Sequence, residues 1–138
     1  MGTINNLYKI MALDIGTKRI GVALSDFLRI TCSGHSCIQR QPETDAVNMI
    51  KKIAKENQVQ KIVIGVPVNM DRTKGEQAKD CLEFAKHFEK DYEIVYEDER
   101  LTSETAEENL KMRKIDFRKN KGLVDIESAC IILEQYIR

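Results

Sequence analysis

Three acidic positions, far apart in the sequence, each lie where a run of apolar residues begins or ends. Asp14 closes the first apolar run of "LDIGTKRIGVALSD", Asp98 and Glu99 follow the run "YEIVYE", and Asp125 opens the segment "VDIESACIILEQY". A carboxylate at such a place loses water, which is costly unless a cation or hydrogen bonds compensate. Because the ends of neighbouring strands lie close together, these acids could share one site. Converging anions repel one another, and a bound divalent cation would relieve that repulsion.

Such a set of carboxylates fits the chemistry of phosphodiester cleavage. Mg²⁺ accepts a few carboxylates together with water and phosphate oxygens. Two such ions about 3.5–4 Å apart can activate an attacking water and stabilise the leaving oxygen. Each acid alone also has a structural explanation: Asp14 before Gly16 could form a turn, and Asp125 could be a helix N-cap. Glu99 could pair with Arg100, so the residue pattern alone leaves both interpretations open.

Basic residues surround these acids. Lys18 and Arg19 flank Asp14, and Arg100 flanks Glu99. The third acid follows a basic segment, "KMRKIDFRKNK", whose cations are Lys111, Arg113, Lys114, Arg118, Lys119 and Lys121. Cations around an anionic metal site suit a polyanion whose phosphates must approach it. The alternative for the basic segment is a solvated loop.

A mixed sheet must bring the acids together. Strands are predicted at 8–15, 20–25 and 30–38, then in "KIVIGVP" and in "YEIVYE". Helices are predicted after Pro42, around 78–88, from Thr102 or Ser103, and over 124–137, with polar loops at 68–75 and 113–121. The short "GTKR" turn makes the first two strands antiparallel. Right-handed crossovers place the later strands parallel and put helices on both faces.

The overall composition places few limits on function. The chain has 138 residues, 42% of them hydrophobic, which suits one soluble domain, and its 22 basic and 22 acidic residues give a formal net charge of +0. Nucleic-acid binders are often basic overall, so this balance counts mildly against one. We expect a cytoplasmic chain without membrane contact, since no signal peptide or apolar stretch of transmembrane length is evident. Residues 1–7 are expected to be a frayed leader.

The four cysteines show no metal-binding spacing. They form no C-x-x-C pair and match no histidine spacing, so neither zinc nor a disulfide framework is expected. Cys81 and Cys130 lie in apolar helical patterns, where reduced, buried thiols are typical.

Four motifs together resemble one family. "LDIGTKRIGVALSD", "VIGVPVNMD" followed by "GEQA", "DERLTS" and "VDIESACIILEQY" stand in the order of the signatures of the YqgF (RuvX) family and span about residues 9–136. That family is similar to Holliday-junction resolvases of the RuvC type. The resemblance implies a ribonuclease H-like α/β fold, with a five-stranded mixed sheet in the order 3-2-1-4-5 and helices on both faces. It also implies a nuclease, since members are described as candidate Holliday-junction resolvases and candidate nucleases for the 5′ end of pre-16S ribosomal RNA.

The resemblance assigns roles to particular residues. Asp14 matches the first-strand aspartate, Glu99 the glutamate of the "DER" motif, and Asp125 the aspartate of the final helix. These three would be catalytic and would hold one or two Mg²⁺ or Mn²⁺ ions. Gly65 and Pro67 also match motif positions, and a turn at a strand end is the expected role of both. Arg19, Asn69, Arg100 and Thr102 also match motif positions, so the resemblance implies that they bind phosphates or shape the loops beside the site. By their charge alone, the cations expected to bind substrate phosphates are Lys18, Lys114, Arg118, Lys119 and Lys121.

The position of Glu99 departs from the resolvases, which place their second acid on the central strand. Because "DER" follows the last strand, Glu99 would start one strand spacing further from Asp14 and reach the metal less well. Asp98 or Asp26 could contribute instead. The partners implied are nucleic acid (pre-ribosomal RNA, branched or single-stranded DNA) and ribosomal precursor particles, bound by a monomer or a homodimer.

Two other functions remain open from the sequence. One is a non-catalytic nucleic-acid-binding factor of ribosome biogenesis that retains the fold. The other is an ATP-binding domain, because "DIGTKRIG" also resembles the phosphate loop of the actin, heat-shock ATPase and sugar-kinase superfamily. Those proteins bind ATP between two such domains, and 138 residues supply only one.

Overall fold

The computed structural model describes residues 7–67, 72–99 and 102–138, with the backbone alone described at 72–74. In chain order the elements are β1 (Lys9–Ile15), β2 (Arg19–Ser25), β3 (Cys32–Gln39), α1 (Glu43–Glu56), β4 (Val59–Val66), α2 (Arg72–Ala85), β5 (Glu93–Asp98), α3 (Thr102–Met112) and α4 (Gly122–Ile137). Residues 1–6 lie outside this description, so the leader at 1–7 stays a prediction.

The five strands form one mixed sheet in the order β3-β2-β1-β4-β5, which confirms the predicted fold class. β2 pairs antiparallel with both β1 and β3, whereas β4 and β5 run parallel to β1. In the register, Leu13 pairs with Ile64, and Val66 pairs with Asp98. The strands β1, β4 and β5 therefore end at the same side of the sheet, which we call the carboxyl edge.

Helices cover both faces of the sheet because strand side chains alternate between the faces. On one face Met11, Leu13 and Ile15 of β1 belong to a core that includes residues of α1 and α2. On the other face Ile10 and Ala12 belong to a core built with α4. Asp14 follows the alternation of Ile10 and Ala12, so its carboxylate lies on the α4 face at the carboxyl edge.

Two glycines let α4 approach the sheet closely. A Cβ on Gly21 of β2 would stand 2.0 Å from the backbone oxygen of Asp125, and one on Gly34 of β3 would stand 2.3 Å from Cγ2 of Ile126. Any larger residue would push the start of α4 away from β2 and β3. These glycines thus determine how near Asp125 comes to the sheet.

Some predicted boundaries were wrong. α2 begins at Arg72, inside the predicted loop at 68–75, and α4 begins at Gly122 rather than at 124. β3 covers Cys32–Gln39 instead of 30–38, because the polar turn after β2 extends as far as Thr31. The start of α2 was placed too late because Thr, Lys and Gly are poor indicators of where a helix begins.

Two further expectations can be compared with the structure. None of the described helices is long and apolar enough to cross a membrane. All four cysteines are free thiols, and Cys81 and Cys130 are buried as predicted.

Candidate active site

Asp14, at the end of β1, is buried in the floor of the candidate site, with 8% of its surface exposed. Burial raises the pKa of its carboxyl, and the negative charge of Asp125 raises it further, while a hydrogen bond from Glu99 opposes both. A nearly dry carboxylate at the end of a central strand is costly, so it must be compensated by a proton or a cation.

Glu99 follows β5 and supplies that proton. Burial raises the pKa of the Glu99 carboxyl, and so do its hydrogen bond to Asp14 and the charges of Asp14 and Asp98. The protonated Glu99 therefore donates to Asp14, and the two carboxyls share one proton. The other oxygen of Glu99, Oε2, is buried and has no hydrogen-bond partner among the described residues. A buried oxygen without a partner is what a cation ligand needs.

Gly65 allows these two acids to meet across a strand. The sheet order places β4 between β1 and β5, as the sequence analysis anticipated. At the point of contact β4 contributes Gly65, where a Cβ would stand 3.4 Å from Oε2 of Glu99 and 2.5 Å from Cδ1 of Ile132. The missing side chain leaves room for Glu99 to reach over β4 to Asp14. Because Gly65 lies within β4, it does not form the predicted turn. Its role is to leave space above the strand for Ile132 and Glu99.

Asp125, in the first turn of α4, lies beside the pair but is bound to a cation of the chain. Its Oδ2 accepts a hydrogen bond from Nε of Arg19 at 2.6 Å and one from the thiol of Cys37 at 3.7 Å. The bond to Asp125 raises the pKa of Arg19. Burial and the charge of Asp125 raise the pKa of Cys37 to about 11, so this thiol stays protonated and can donate.

The structure thus brings the three predicted acids into one region without joining them in one cluster. Asp14 and Glu99 are in direct contact, and the charge of Asp125 acts on Asp14. Within 7–67, 72–99 and 102–138, no three Asp, Glu, His or Cys side chains form a group that could hold a metal ion in this arrangement. Asp125 would have to exchange its bond to Arg19 for a bond to the cation.

The two alternative acids occupy other places. Asp26 follows β2 at the opposite side of the sheet from Asp14, where its Oδ1 accepts hydrogen bonds from the backbone of Ile30 and Thr31 at 2.7 and 2.9 Å. Asp26 therefore stabilises the turn before β3. Asp98 pairs with Val66 in the register, and strand alternation puts it on the face of α1 and α2, opposite to Glu99.

The residues predicted to contact substrate fall into three groups. Lys18 is exposed in the β1–β2 turn (residues 16–18), and Arg19 is half-buried at the start of β2. Thr102 begins α3 but is 2% exposed, and its hydroxyl has no hydrogen-bond partner among the described residues, so it neither caps the helix nor faces solvent. The exposed connection between α3 and α4 carries Lys114, Arg118, Lys119 and Lys121. Asn69 and Arg100 lie outside the described residues.

Sequence reasoning missed Arg40 and Asp80. Arg40 follows β3 and is buried, yet its guanidinium forms hydrogen bonds with both carboxylate oxygens of Asp80 at 2.6 and 2.8 Å. The same group donates to the carbonyl of Gly16 at 3.0 Å. No motif or spacing could have indicated this pair, because its members belong to different elements and are 40 residues apart.

An open cleft of roughly 840 Å³ lies next to the acids. The β1–β2 turn, the segment 40–43 and the middle of α2 form its walls, together with Arg19 and Asp125. The lining carries both charges: Arg19 and Arg40 are ion-paired with Asp125 and Asp80, and Lys18 is an exposed cation at the turn. Asp125 is the member of the predicted trio that lines this cleft, whereas Asp14 and Glu99 are not among its lining residues.

Known proteins resemble the chain over nearly all of its length. The profile of the RuvX family, described as a Holliday junction resolvase, matches residues 8–138. A relative from Crocosphaera subtropica, named "Putative pre-16S rRNA nuclease", is 46% identical over 129 residues, covering 92% of this chain and 90% of the relative. A relative of the same name from Syntrophomonas wolfei is 38% identical over 131 residues, covering 94% and 93% of the two chains.

Solved structures share the fold at low sequence identity. RuvC of T. thermophilus, in complex with a Holliday junction substrate, is 12% identical, with a TM-score of 0.51 and coverage of 94% of this chain and 93% of that chain. The fowlpox virus resolvase, in complex with Holliday junction DNA, is 13% identical, with a TM-score of 0.57 and coverage of 94% and 96%. The fold is therefore that of these resolvases, and the match over residues 8–138 makes the chain a member of the RuvX family.

Proposed function

We propose that this protein is a metal-dependent nuclease that hydrolyses phosphodiester bonds, with the 5′ end of pre-16S ribosomal RNA as its substrate. The names of its relatives support the RNA substrate. Resolvases of the same fold act on branched DNA, so a Holliday junction is the second substrate to test. Nucleic acid, alone or in ribosomal precursor particles of the cytoplasm, is the partner in this proposal.

The observation that carries the proposal is the buried pair of Asp14 and Glu99. A fold gains nothing in stability by placing two carboxyls together in a dry environment, because burial raises the pKa of both and Asp14 raises the pKa of Glu99 further. Such pairs are typical of sites that bind cations or move protons. Oε2 of Glu99, which has no hydrogen-bond partner among the described residues, provides an oxygen that a bound cation would use.

Asp14, Glu99 and Asp125 would hold Mg²⁺ or Mn²⁺. All three are oxygen donors, as these ions require, and the described residues provide no competing histidine or thiolate set. A divalent ion bound here would supply a Lewis acid for the scissile phosphate and for the attacking water. Glu99 would lose its proton when the cation binds, since the positive charge takes over the role of the shared proton.

The other named side chains would bind and orient the substrate. Lys18 and Arg19 line the cleft, where they would contact phosphates next to the scissile bond. The exposed cations of the connection 113–121 would add affinity that does not depend on sequence. Few aromatic side chains are exposed nearby, so we expect recognition through the backbone of the nucleic acid rather than through stacked bases.

A cleavage panel tests the proposal. The wild-type protein would be incubated with Mn²⁺ and one of three labelled substrates: a pre-16S 5′-leader RNA, single-stranded DNA or a synthetic four-way junction. We expect cleavage of the leader RNA and a loss of about 10²–10³-fold in Asp14→Asn, comparable to the loss of one strong electrostatic contact in other enzymes. Asp45→Asn, an exposed residue of α1, is the matched control and should cleave normally.

The hydrogen bond between Arg19 and Asp125 favours a second candidate, a non-catalytic nucleic-acid-binding factor. In that protein Arg19 would keep Asp125 neutralised, and no cation would enter. Binding of the leader RNA without cleavage in Mn²⁺ or Mg²⁺, unchanged by Asp14→Asn, would establish this candidate and exclude the nuclease. Cleavage of the junction in preference to the RNA would leave the enzyme class intact and change its substrate.

A further inference from the structure

Arg40 holds the β1–β2 turn from the face of α1 and α2. Its Nη1 donates to the carbonyl of Gly16 at 3.0 Å, and its backbone N–H donates to the carbonyl of Lys18 at 2.9 Å. The turn is closed by a hydrogen bond from the backbone N–H of Gly16 to the carbonyl of Arg19 at 2.9 Å. Arg40 thus contacts both ends of the turn that displays Lys18.

Arg40 is itself held in one orientation. Its side chain is 8% exposed and bonds both oxygens of Asp80, and Nη2 also donates to Glu43 at 3.3 Å. The guanidinium lies over the ring of Phe84, 5.1 Å from its centroid. A bidentate pair between planar groups fixes direction as well as distance, which a lysine ammonium cannot do. Asp80 therefore determines where Arg40 points.

The turn is contacted from the other face as well. There the side chain of Arg19 donates to Asp125 of α4. Arg40 binds the backbone of the turn on one face of the sheet. On the other face Asp125 binds Arg19, the first residue of β2. Replacing the Arg40 side chain would remove its bond to Gly16, so that the backbone bond from residue 40 to Lys18 would be what remains of this attachment.

We propose that Arg40, oriented by Asp80, is a positioning residue that fixes the β1–β2 turn so that Lys18 and Arg19 meet the phosphates of the substrate. This inference rests on the proposed function, because it specifies how the nucleic-acid-binding site is held in place. Arg40 acts through the turn and does not touch the substrate, since Nη1 and Nη2 are engaged by Gly16, Asp80 and Glu43, and Nε, which has no partner among the described residues, is buried away from solvent.

A substitution of Asp80 can distinguish the two possible roles of Arg40, positioning of the turn and direct contact with a phosphate. If Arg40 bound a phosphate directly, Asp80 would compete with that phosphate, and Asp80→Asn would strengthen nucleic-acid binding. If Arg40 positions the turn, Asp80→Asn removes the partner that orients it, and binding weakens. The two roles predict opposite signs for the same substitution.

The experiment measures binding and local order in the same proteins. Binding of a fluorescent single-stranded RNA would be followed by anisotropy in EDTA, and backbone amide exchange by mass spectrometry. In Arg40→Lys and Asp80→Asn we expect about fivefold weaker binding, a size typical of residues that act through others, and faster exchange in the peptide covering residues 15–20. In the cleavage assay KM should rise by a similar factor, with kcat little changed.

Two matched control variants show whether the loss of any arginine, or of any charge on α2, changes binding or exchange. Arg29→Lys alters an arginine that also bonds backbone carbonyls and lies over a ring, but at the opposite side of the sheet from the cleft. Glu83→Gln breaks an exposed ion pair on the same helix as Asp80. Neither should change binding or exchange at 15–20.

Each outcome decides the inference. Tighter binding in Asp80→Asn, or unchanged binding together with unchanged exchange, overturns it. A wild-type protein that fails to bind or cleave any nucleic acid refutes the proposed function, whereas faster exchange at 15–20 in both variants would still show that the pair holds the turn. Should Arg40→Lys fold poorly, Asp80→Asn and Asp80→Glu provide the same comparison from the partner side.

Discussion

Gly21 of β2 lies directly against the backbone of Asp125 in α4, at a distance that leaves no space for a methyl group: a Cβ there would be 2.0 Å from the carbonyl oxygen of Asp125. The contact is between two backbones, so neither side can yield by rotating a side chain. The approach of the third acid to the sheet is therefore set by the absence of a side chain on a neighbouring strand.

The first prediction concerns this contact. Gly21→Ala should lower the free energy of unfolding by about 1–3 kcal/mol, the usual cost of forcing a methyl into a packed interior, and should move Asp125 away from Asp14. Urea denaturation measures the first effect, and the loss of Mn²⁺-dependent cleavage measures the second. Gly75→Ala is the control, because no atom of the described residues lies within 4 Å of a Cβ there and alanine is the better helix former. Equal stability of Gly21→Ala and wild type would contradict the packing described.

The second prediction concerns Gly65. Gly65→Ala should lower stability, because the new methyl would clash with Cδ1 of Ile132 at 2.5 Å, and should reduce cleavage, because it would lie in contact with Oε2 of Glu99 at 3.4 Å, where the cation would bind. The added substitution Ile132→Val removes the Cδ1 atom and should recover most of the lost stability, but less of the lost activity. Thermal melting and cleavage rates on the single and double variants check this. Full recovery of activity would mean that crowding of Glu99 is unimportant.

The third prediction is a pH dependence of stability in the metal-free protein. Burial raises the pKa of Glu99 above its ordinary value of 4.5, so the folded protein retains a proton that the unfolded chain releases. Unfolding therefore becomes easier as pH rises above about 4.5, and this loss of stability continues until the folded pKa is passed. Glu99→Gln keeps a donor to Asp14 but carries no charge, so it should be more stable than wild type at pH about 8 by about 0.5–2 kcal/mol.

Urea denaturation in EDTA across the pH range tests this sign. The difference in the free energy of unfolding between Glu99→Gln and wild type should shrink toward acidic pH and grow toward basic pH. Glu89→Gln, which alters an exposed acid, should follow wild type at every pH. A difference of the opposite sign would show that Glu99 is ionised and stabilising in the folded protein.

The fourth prediction concerns metal binding without catalysis. Mn²⁺ should raise the unfolding midpoint of the wild-type protein, with a gain of about 2.7 kcal/mol when the free ion exceeds its dissociation constant a hundredfold. Asp14→Asn and Asp125→Asn should lose most of this gain, and Asp45→Asn should keep it. Arg19→Gln should increase the gain, because it frees Asp125 from its 2.6 Å bond to Arg19. Differential scanning fluorimetry with a Mn²⁺ titration is sufficient, and no response in wild type would argue against a metal site.

The fold was predictable because its signals are local. The β-branched run of β4 and the helical spacing of Val47, Ile50 and Ile53 in α1 each report on a single element. The short turn between β1 and β2 then fixes an antiparallel pair, and the rest of the order followed from the family resemblance. Boundaries were less predictable, as the early start of α2 shows, because they depend on capping and packing rather than on periodicity.

The candidate site was predictable only in part. The positions of Asp14, Glu99 and Asp125 at element ends were visible in the sequence, but their mutual arrangement was not. The reach of Glu99 over β4 depends on Gly65, and the orientation of Asp125 depends on Arg19, which are both relations between distant segments. Arg40 and Asp80 gave no sequence signal at all, because an ion pair across 40 residues follows no period.

The last helix, α4, both completes the core and supplies the third acid, so the chain acquires both at the same stage of its synthesis. α4 covers one whole face of the sheet with Ala129, Ile132 and Leu133, and its first turn carries Asp125. On a ribosome, a growing chain that already contains Asp14 and Glu99 still has one face of its sheet uncovered and lacks the third acid. The proposed nuclease would therefore become competent only when its own translation has passed α4, because the cover of the sheet and the third acid arrive in the same segment.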